Sequence, residues 1–318
     1  MKKILALACA LCLIFALAAP AAFAEGETYN VGVCQLVQHP ALDAATQGFI
    51  DALTEELGDA VSFNVQNASG DSATCAVIVN QFVSDEVDLI LANATPALLA
   101  AQAATNMIPI LGTSVTDYAT ALDIDDWTGS TGTNISGTSD GVPAEEYAKL
   151  LNELFPEAKT VGILYCSGEP NSKFQADQIR PFLEEMGYKV MDFTFADSND
   201  VAAVANNACD DCDVLYIPTD NTAASNAELI NNVVLEKKIP VVAGEEGLCA
   251  GCGCVTLSIS YYDLGVVTGK MAAQILTGEA EVSSMEIEYA PFEKKFNSVN
   301  CEILGLEVPE DFIAIEAE

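Results

Sequence analysis

Basic residues and histidine are scarce in this chain. Of 318 residues, 12 are lysine or arginine, 47 are aspartate or glutamate and one is histidine, for a net charge of −35. So acidic a surface repels phosphate backbones and anionic lipid, which argues against nucleic acid or a membrane surface as partner. It says little about a small ligand, because a buried site senses nearby dipoles more than distant charge. With His39 the sole histidine, a hydrolytic triad has one possible base, and no Gly-x-Ser-x-Gly elbow accompanies it. A phosphate-loop pattern, a Gly-x-Gly-x-x-Gly fingerprint and paired His/acid metal spacing are also missing. These absences weaken enzyme readings, and no cofactor or metal is expected.

One long apolar run is present, at the N-terminus. Lys2 and Lys3 precede Ile4 to Ala19, and Ala22-Phe23-Ala24 follows, the layout of a signal peptide covering residues 1–24. The run is short for a membrane span of roughly 20 residues and no later segment approaches that length. Cys9 and Cys12 lie inside it without the pattern that lipid attachment prefers. The expectation is export to the periplasm or cell exterior, with cleavage near Glu25 and no lipid anchor. The remaining chain is long enough for two domains with real cores.

Nine cysteines would survive cleavage: Cys34, Cys75, Cys166, Cys209, Cys212, Cys249, Cys252, Cys254 and Cys301. An odd number leaves at least one thiol free or paired between chains. An anaerobic source would remove the conflict with export, since oxidising surroundings are what favour disulfides.

A repeat organises the rest. Val31-Gly32-Val33-Cys34 returns as Val161-Gly162-Ile163-Leu164, Asp88-Leu89-Ile90-Leu91 as Asp213-Val214-Leu215-Tyr216, and Ile108-Pro109-Ile110-Leu111 as Ile239-Pro240-Val241-Val242, at offsets of 130, 125 and 131. Three matches in one order imply two copies of one supersecondary plan. Each copy alternates short continuous apolar runs with amphipathic stretches, the pattern of buried parallel strands joined by crossover helices. Strands are expected near 30–36, 61–66, 87–92 and 108–113, then 160–165, 188–194, 213–217, 240–243 and 255–259. Helices are expected near 41–57, 72–84 and 96–106, then 143–154, 172–187, 199–208 and 223–236. The fold class is α/β, two doubly wound parallel-sheet lobes joined by a multi-strand hinge. A last helix, 262–277, should cross back onto the first lobe. This gives lobe 1 residues 25–137 plus about 261–318 and lobe 2 residues 138–260, with crossings in 129–141, at Ser258–Ser260 and near Phe292–Asn297. Several parallel connections make a hinge that permits closure.

In such sheets ligands bind beyond the carboxyl ends of the strands, where helix N-termini offer free N–H groups. The loops there are rich in hydroxyls and amides. Gln35 ends the first strand. Asn93-Ala94-Thr95-Pro96 follows the third, with Thr95 placed as a cap and Pro96 as the first helical residue. Ser114 and Thr116 follow the fourth. Hydroxyls beside free N–H groups can cradle a carboxylate, although Thr95 and Thr116 could equally do no more than cap helices. The second lobe contributes Asn171 and Ser172, then Thr219, Asp220 and Asn221, then Glu245. Asp220 or Glu245 could receive an α-ammonium group, or Asp220 could simply cap the helix after it. Ser139 and Asp140 on a crossing segment could line the cleft. Tyr165, Tyr118 and Phe174 are candidates for a flat aromatic wall, with core packing as the alternative.

His39 reads as a structural or ligand-edge residue. Cys209-Asp210-Asp211-Cys212 and Cys249-Ala250-Gly251-Cys252 are both C-x-x-C pairs, compatible with a metal or redox site, a disulfide or unpaired thiols. The first pair precedes a strand and the second follows one, so they meet only if the 247–254 segment runs back.

Four stretches carry a family resemblance: Val33 to Asp43, Gly112 to Asp117, Pro218-Thr219-Asp220-Asn221 and Ser260-Tyr261-Tyr262-Asp263-Leu264-Gly265. They are similar to the signature stretches of the ABC-transporter substrate-binding family that includes tryptophan and tyrosine binders, and the likeness runs over essentially all of the mature chain. The resemblance implies a type I periplasmic-binding-protein fold, partnership with a permease and an ATPase, and an aromatic amino acid as ligand. It implies that Thr95, Ser114 and Thr116 contact the carboxylate and Asp220 the amine. The cysteine-rich loop 249–254 departs from the simpler family pattern.

The leading expectation is therefore an exported solute-binding protein of an ABC importer, a monomer that captures a small polar ligand, an L-amino acid with aromatic side chains favoured, by hinge closure. A ligand-sensing partner of a membrane receptor is the alternative, and a thiol or metal enzyme using Cys249, Cys252 and Cys254 the weaker one.

Overall fold

Runs such as Leu89-Ile90-Leu91-Ala92 have no polar face, so they are stable only as strands covered on both sides. In the computed structural model, which describes residues 28–315, they form the centres of two sheets. The leader and its cleavage site fall outside those residues. The first sheet holds β1 (Tyr29–Gln35), β2 (Val61–Asn67), β3 (Leu89–Asn93), β4 (Ile110–Val115) and β5 (Ile135–Ser139). The second holds β6 (Thr160–Cys166), β7 (Lys189–Phe195), β8 (Val214–Ile217), β9 (Val241–Ala243) and β10 (Val255–Ser258). Spatial order is β2-β1-β3-β4-β5 in one and β7-β6-β8-β9-β10 in the other, all parallel. The repeat in the sequence is thus a repeat in topology. β3 and β4 are buried throughout, whereas the edge strand β2 is exposed at Ser62 and from Asn64 to Asn67.

The chain crosses between lobes three times. It leaves β5 through Asp140 to Pro143 and enters helix Ala144–Leu154, which packs in the second lobe's core. It returns after β10 through Ile259 and Ser260 into helix Tyr261–Leu276, which lies against helix Pro40–Leu57. The expected return to the first lobe rests on small residues. A Cβ on Gly265 would strike the carbonyl of Ala45, and one on Gly48 the carbonyl of Tyr262, so the two helices touch backbone to backbone.

The third crossing, between Tyr289 and Glu293, falls near the expected place but leaves more of the C-terminal segment with the second lobe than expected. A short strand, β11 (Glu288–Tyr289), pairs with β5, but β12 (Glu293–Phe296) runs antiparallel to β10, and β13 (Ile313–Ala314) pairs with β12. Among the described residues, those from 293 to 315 therefore associate with the second lobe and not, as expected, with the first. Helix Ser298–Leu304 follows its strand there, with Cys301 in the second core. Two further differences are local. Residues 135–139, whose Gly and Ser content suggests a linker, form β5, because the edge of β4 supplies a ladder to pair with. The helix expected over 223–236 is broken at Asn226 into Asn221–Ser225 and Ala227–Lys237.

Candidate functional site

The carboxyl ends of both sheets face one another across the cleft and bring together an unusual density of buried polar side chains. The first lobe supplies Gln35, Asn93, Thr95, Ser114, Thr116, Ser139 and Asp140; the second supplies Glu169, Asn171, Ser172, Gln175, Asp220, Asn221 and Glu245. Burying such groups costs free energy unless each finds a partner.

Several are spent on holding the frame. Gln35 donates to Val37 O at 2.9 Å and Asp43 Oδ1 at 2.6 Å and accepts from Thr46 Oγ1 at 2.7 Å. Asn93 donates to Leu42 O at 2.8 Å and to Thr46 Oγ1 at 2.9 Å. Together they clamp helix Pro40–Leu57 over the ends of β1 and β3. Ser139 Oγ donates to Thr116 O at 2.9 Å and accepts from Gly141 N at 3.0 Å, which shapes the first crossing.

On the second lobe the acids cap helices. Asp220 accepts from Ala223 N and from Cys166 N, both at 2.7 Å, and Ser172 adds a side-chain hydrogen bond. Burial, then the charge of Glu169, pushes its carboxyl up to about 8. Glu245 accepts from Gly247 N at 2.6 Å and from Leu248 N, and burial raises it to about 7. Glu169, which no sequence pattern marked, accepts from Asn221 N at 3.0 Å, Asn221 Nδ2 at 2.6 Å, Thr222 N at 2.8 Å and Thr222 Oγ1 at 2.7 Å. Its signal was available in the pairing of an acid before Pro170 with an Asn-Thr helix start. Thr219 N donates to Gln175 Oε1 at 3.2 Å, with Thr219 Oγ1 3.2 Å from both Gln175 Oε1 and Gly244 O.

What remains is a set of buried atoms without a protein partner: Asn93 Oδ1, Ser114 Oγ and Asp140 Oδ1 on the first lobe, Asn171 Oδ1 on the second, and His39 Nδ1. Asn93, Ser114 and Asp140 stand at the ends of the adjacent strands β3, β4 and β5. Two amide orientations are fixed, since the Asn93 NH2 is committed as above and the Asn171 NH2 donates to Thr219 O at 2.8 Å. The open atoms of both are therefore acceptors. Asp140 Oδ2 accepts from the Tyr261 phenol at 2.8 Å, and burial raises its carboxyl above the usual range against the opposing influence of the nearby Tyr261 and Thr116 hydroxyls. Backbone strain collects here as well: Ala94 has φ 90° and Ser114 φ 54°, values that side chains with a Cβ rarely adopt.

Thr95 and Thr116 are not caps. Ala94 occupies the cap position before helix Thr95–Ala104, and Asp117 caps the turn after Thr116 by accepting from Thr120 N at 2.7 Å. Thr95 instead lines a cavity of about 70 Å³ with Asp117, Asn171 and Phe174. Phe174 also walls a larger cavity of about 410 Å³ with Thr116, Gln175, Tyr216 and Phe292. The other two candidate wall residues lie in the cores. Tyr165 packs with Ile179, Leu183 and Tyr188, because its place on β6 points it at the helix layer. Tyr118 is buried behind β4 and β5, donating to Thr138 O at 3.1 Å.

All nine cysteines of the described residues are unpaired and buried. Helix Glu246–Cys252 does run back along the sheet, and both C-x-x-C pairs enter one apolar cluster, with helix Ala227–Lys237 packed against both helices that carry them. Among the described residues no three His, Cys, Asp or Glu side chains are grouped to hold a metal, and none of the helices is long and apolar enough to cross a membrane.

Comparison with known proteins agrees with this architecture. A family model described as ABC transporter substrate binding protein matches residues 30–316. A tyrosine-binding protein of Clostridioides difficile (strain R20291) is 37% identical over 254 residues, 79% of this chain and 73% of that protein. The crystal structure of an ABC domain in complex with L-Trp from Streptococcus pneumonia superposes with a TM-score of 0.84 at 31% identity, covering 89% of this chain and 97% of that one. The ligand-free, open structure of a substrate-binding protein with adhesive properties from Clostridium difficile superposes with a TM-score of 0.68 at 37% identity, covering 92% and 100%. The chain belongs to the ABC transporter substrate-binding protein family, solute-binding proteins of the type I periplasmic-binding fold and not enzymes.

Proposed function

We propose that this protein captures an L-amino acid, aromatic side chains favoured, by closing its two lobes over it outside the cytoplasmic membrane, and delivers it as a monomer to an ABC permease and ATPase. The observation that carries the reading is the set of buried acceptors on Asn93, Asp140 and Asn171, beside the Ser114 hydroxyl, none with a donor from the protein. An ammonium group brings three N–H donors and a positive charge. Placed against Asp140 Oδ1, it would favour the ionised carboxylate that burial opposes.

Asp140 is thus the better amine holder than Asp220 or Glu245, whose oxygens already accept backbone N–H groups. The carboxylate end belongs at Thr95, Ser114 and Thr116, where the first turn of helix Thr95–Ala104 supplies free N–H groups and a positive dipole end. Phe174, half-buried and between two cavities, offers the apolar wall for a ring. The relatives that bind tyrosine and L-Trp support the aromatic preference. Closure is supported by the better superposition on the L-Trp complex than on the open structure, although the open one is the more similar in sequence.

Calorimetric titration of the purified mature chain, unfolded and refolded to remove any carried solute, against the twenty standard amino acids tests the reading. L-tyrosine, L-tryptophan or L-phenylalanine should bind tightest; no heat from any amino acid would overturn it.

A further inference from the structure

His39 is the only histidine in the chain and is buried at the entrance to helix Pro40–Leu57. Its Nε2 lies 3.2 Å from Asn221 Oδ1, a residue of the opposite lobe. Among the described residues, this is the one hydrogen bond that joins the lobes away from the three crossing segments. The direction of the bond is fixed by what surrounds it. Asn221 Nδ2 donates to Glu169 Oε2 at 2.6 Å, so Oδ1 is the face offered to the imidazole. Oδ1 can only accept, so Nε2 carries the proton and Nδ1 keeps a lone pair, buried and with no protein partner.

We propose that the contact between His39 and Asn221 is the latch of the closed cleft, and that it holds only while the imidazole is neutral, so that capture weakens on acidification. This rests on the reading of the protein as a closing solute trap. A second proton would make Nδ1–H a buried donor with nothing to receive it and would place a cation in a desolvated pocket. The groups facing His39 are Asp43 on its own helix, Glu169 at the start of helix Pro170–Glu185, and Asn221. Their pull toward the charged form is outweighed by burial, which lowers the His39 pKa in the closed protein. An opened cleft hydrates the ring and returns it toward its ordinary value of about 6.5. Protons therefore bind the open form preferentially. Closure is fully favoured above about pH 6.5 and declines below it, by at most about tenfold per pH unit, until the closed-state value is reached.

Because there is one imidazole, its nuclear magnetic resonance signals report the latch directly, without knowledge of the ligand. Nitrogen shifts and a pH titration are recorded on the protein as purified and again with L-tryptophan or L-tyrosine added. An Nε2–H tautomer with a pKa below about 6.5 in either sample is expected. An ordinary titration in both, or an Nδ1–H tautomer, overturns the latch. A second arm uses His39→Gln, whose amide can donate to Asn221 without titrating, and His39→Ala, which cannot. Between pH 7.5 and 5.5 the wild-type dissociation constant for L-tryptophan or L-tyrosine should rise relative to that of His39→Gln, and His39→Ala should bind roughly three- to tenfold more weakly at pH 7.5. Parallel profiles for wild type and His39→Gln would sink the proposal even where binding is tight. Should neither amino acid bind, the functional reading fails and the resonance arm alone decides the latch.

Discussion

The phenol of Tyr261 donates to Asp140 Oδ2 at 2.8 Å, and so ties the first residue after the second crossing to the first residue after β5. One carboxylate thereby ties into the hinge through one oxygen and leaves the other buried without a protein partner. If the ligand's ammonium sits at Asp140 as proposed, ligand charge and hinge geometry meet at a single side chain, which would account for an acid being buried there.

Replacing Asp140 by Asn keeps the shape and the acceptor for Tyr261 but removes the charge. Loss of a charged hydrogen bond to a buried ammonium is worth about 2 kcal/mol, so amino-acid affinity measured by calorimetry should fall roughly thirtyfold. Tyr261→Phe should cost less, because the cleft-facing oxygen is untouched. Unchanged affinity in Asp140→Asn would move the amine site elsewhere.

Asp220 and Glu245 make a prediction about stability. Both carboxyls are raised in the folded protein, to about 8 and about 7, above the ordinary carboxylate range. A raised acid binds its proton more tightly when folded, so stability is greatest at low pH and is lost as pH climbs through the folded value. For Glu245 the loss falls between about pH 4.5 and 7 and is of order 3 kcal/mol. Thermal melts across pH 4.5 to 8.5 should show Tm falling toward the alkaline end. Asp220→Asn and Glu245→Gln should flatten the fall, since each amide still offers an oxygen to the helix N–H groups it caps. Asn is in addition a good cap residue.

The helix pair that returns the chain to the first lobe is set by close packing. Gly265→Ala and Gly48→Ala should each destabilise by about 1–3 kcal/mol, read from denaturant midpoints, because the new methyl meets backbone that cannot swing aside. Gly278→Ala is a control of different origin. It has open space around it and a φ of 74°, so any cost there is conformational and smaller.

Much of this architecture was legible because its code is local. Continuous apolar runs marked β3, β4, β6, β8 and β9 at the centres of the two sheets, and the offset repeats announced the shared strand order. What escaped was chemistry that depends on company. β5, with Gly137 and Ser139, has no strand signature until β4 lies beside it. β12 carries Lys294 and Lys295 and is a strand only because β10 has a free edge. At the site, alternation along β6 could not say which face Tyr165 takes. The loops named Asp220 and Glu245 as acids near the cleft, yet only in the folded chain are their oxygens filled by backbone N–H groups while Asp140 keeps one open.

The thiols supply the last prediction. Cys34, Cys75 and the other seven cysteines of the described residues are all buried and unpaired. Burial drives several toward the unreactive thiol form, Cys209 and Cys212 to about 11. Iodoacetamide under native conditions should therefore add little mass over an hour, whereas denaturant should expose all nine together. Substituting Cys249, Cys252 and Cys254 jointly by Ser buries hydroxyls in an apolar layer and should lower Tm by several degrees. It should leave the ligand dissociation constant within about threefold, because none of the three reaches the polar cleft. A loss of binding in that triple variant with its fold intact would revive a thiol-based chemistry and count against a purely capturing role.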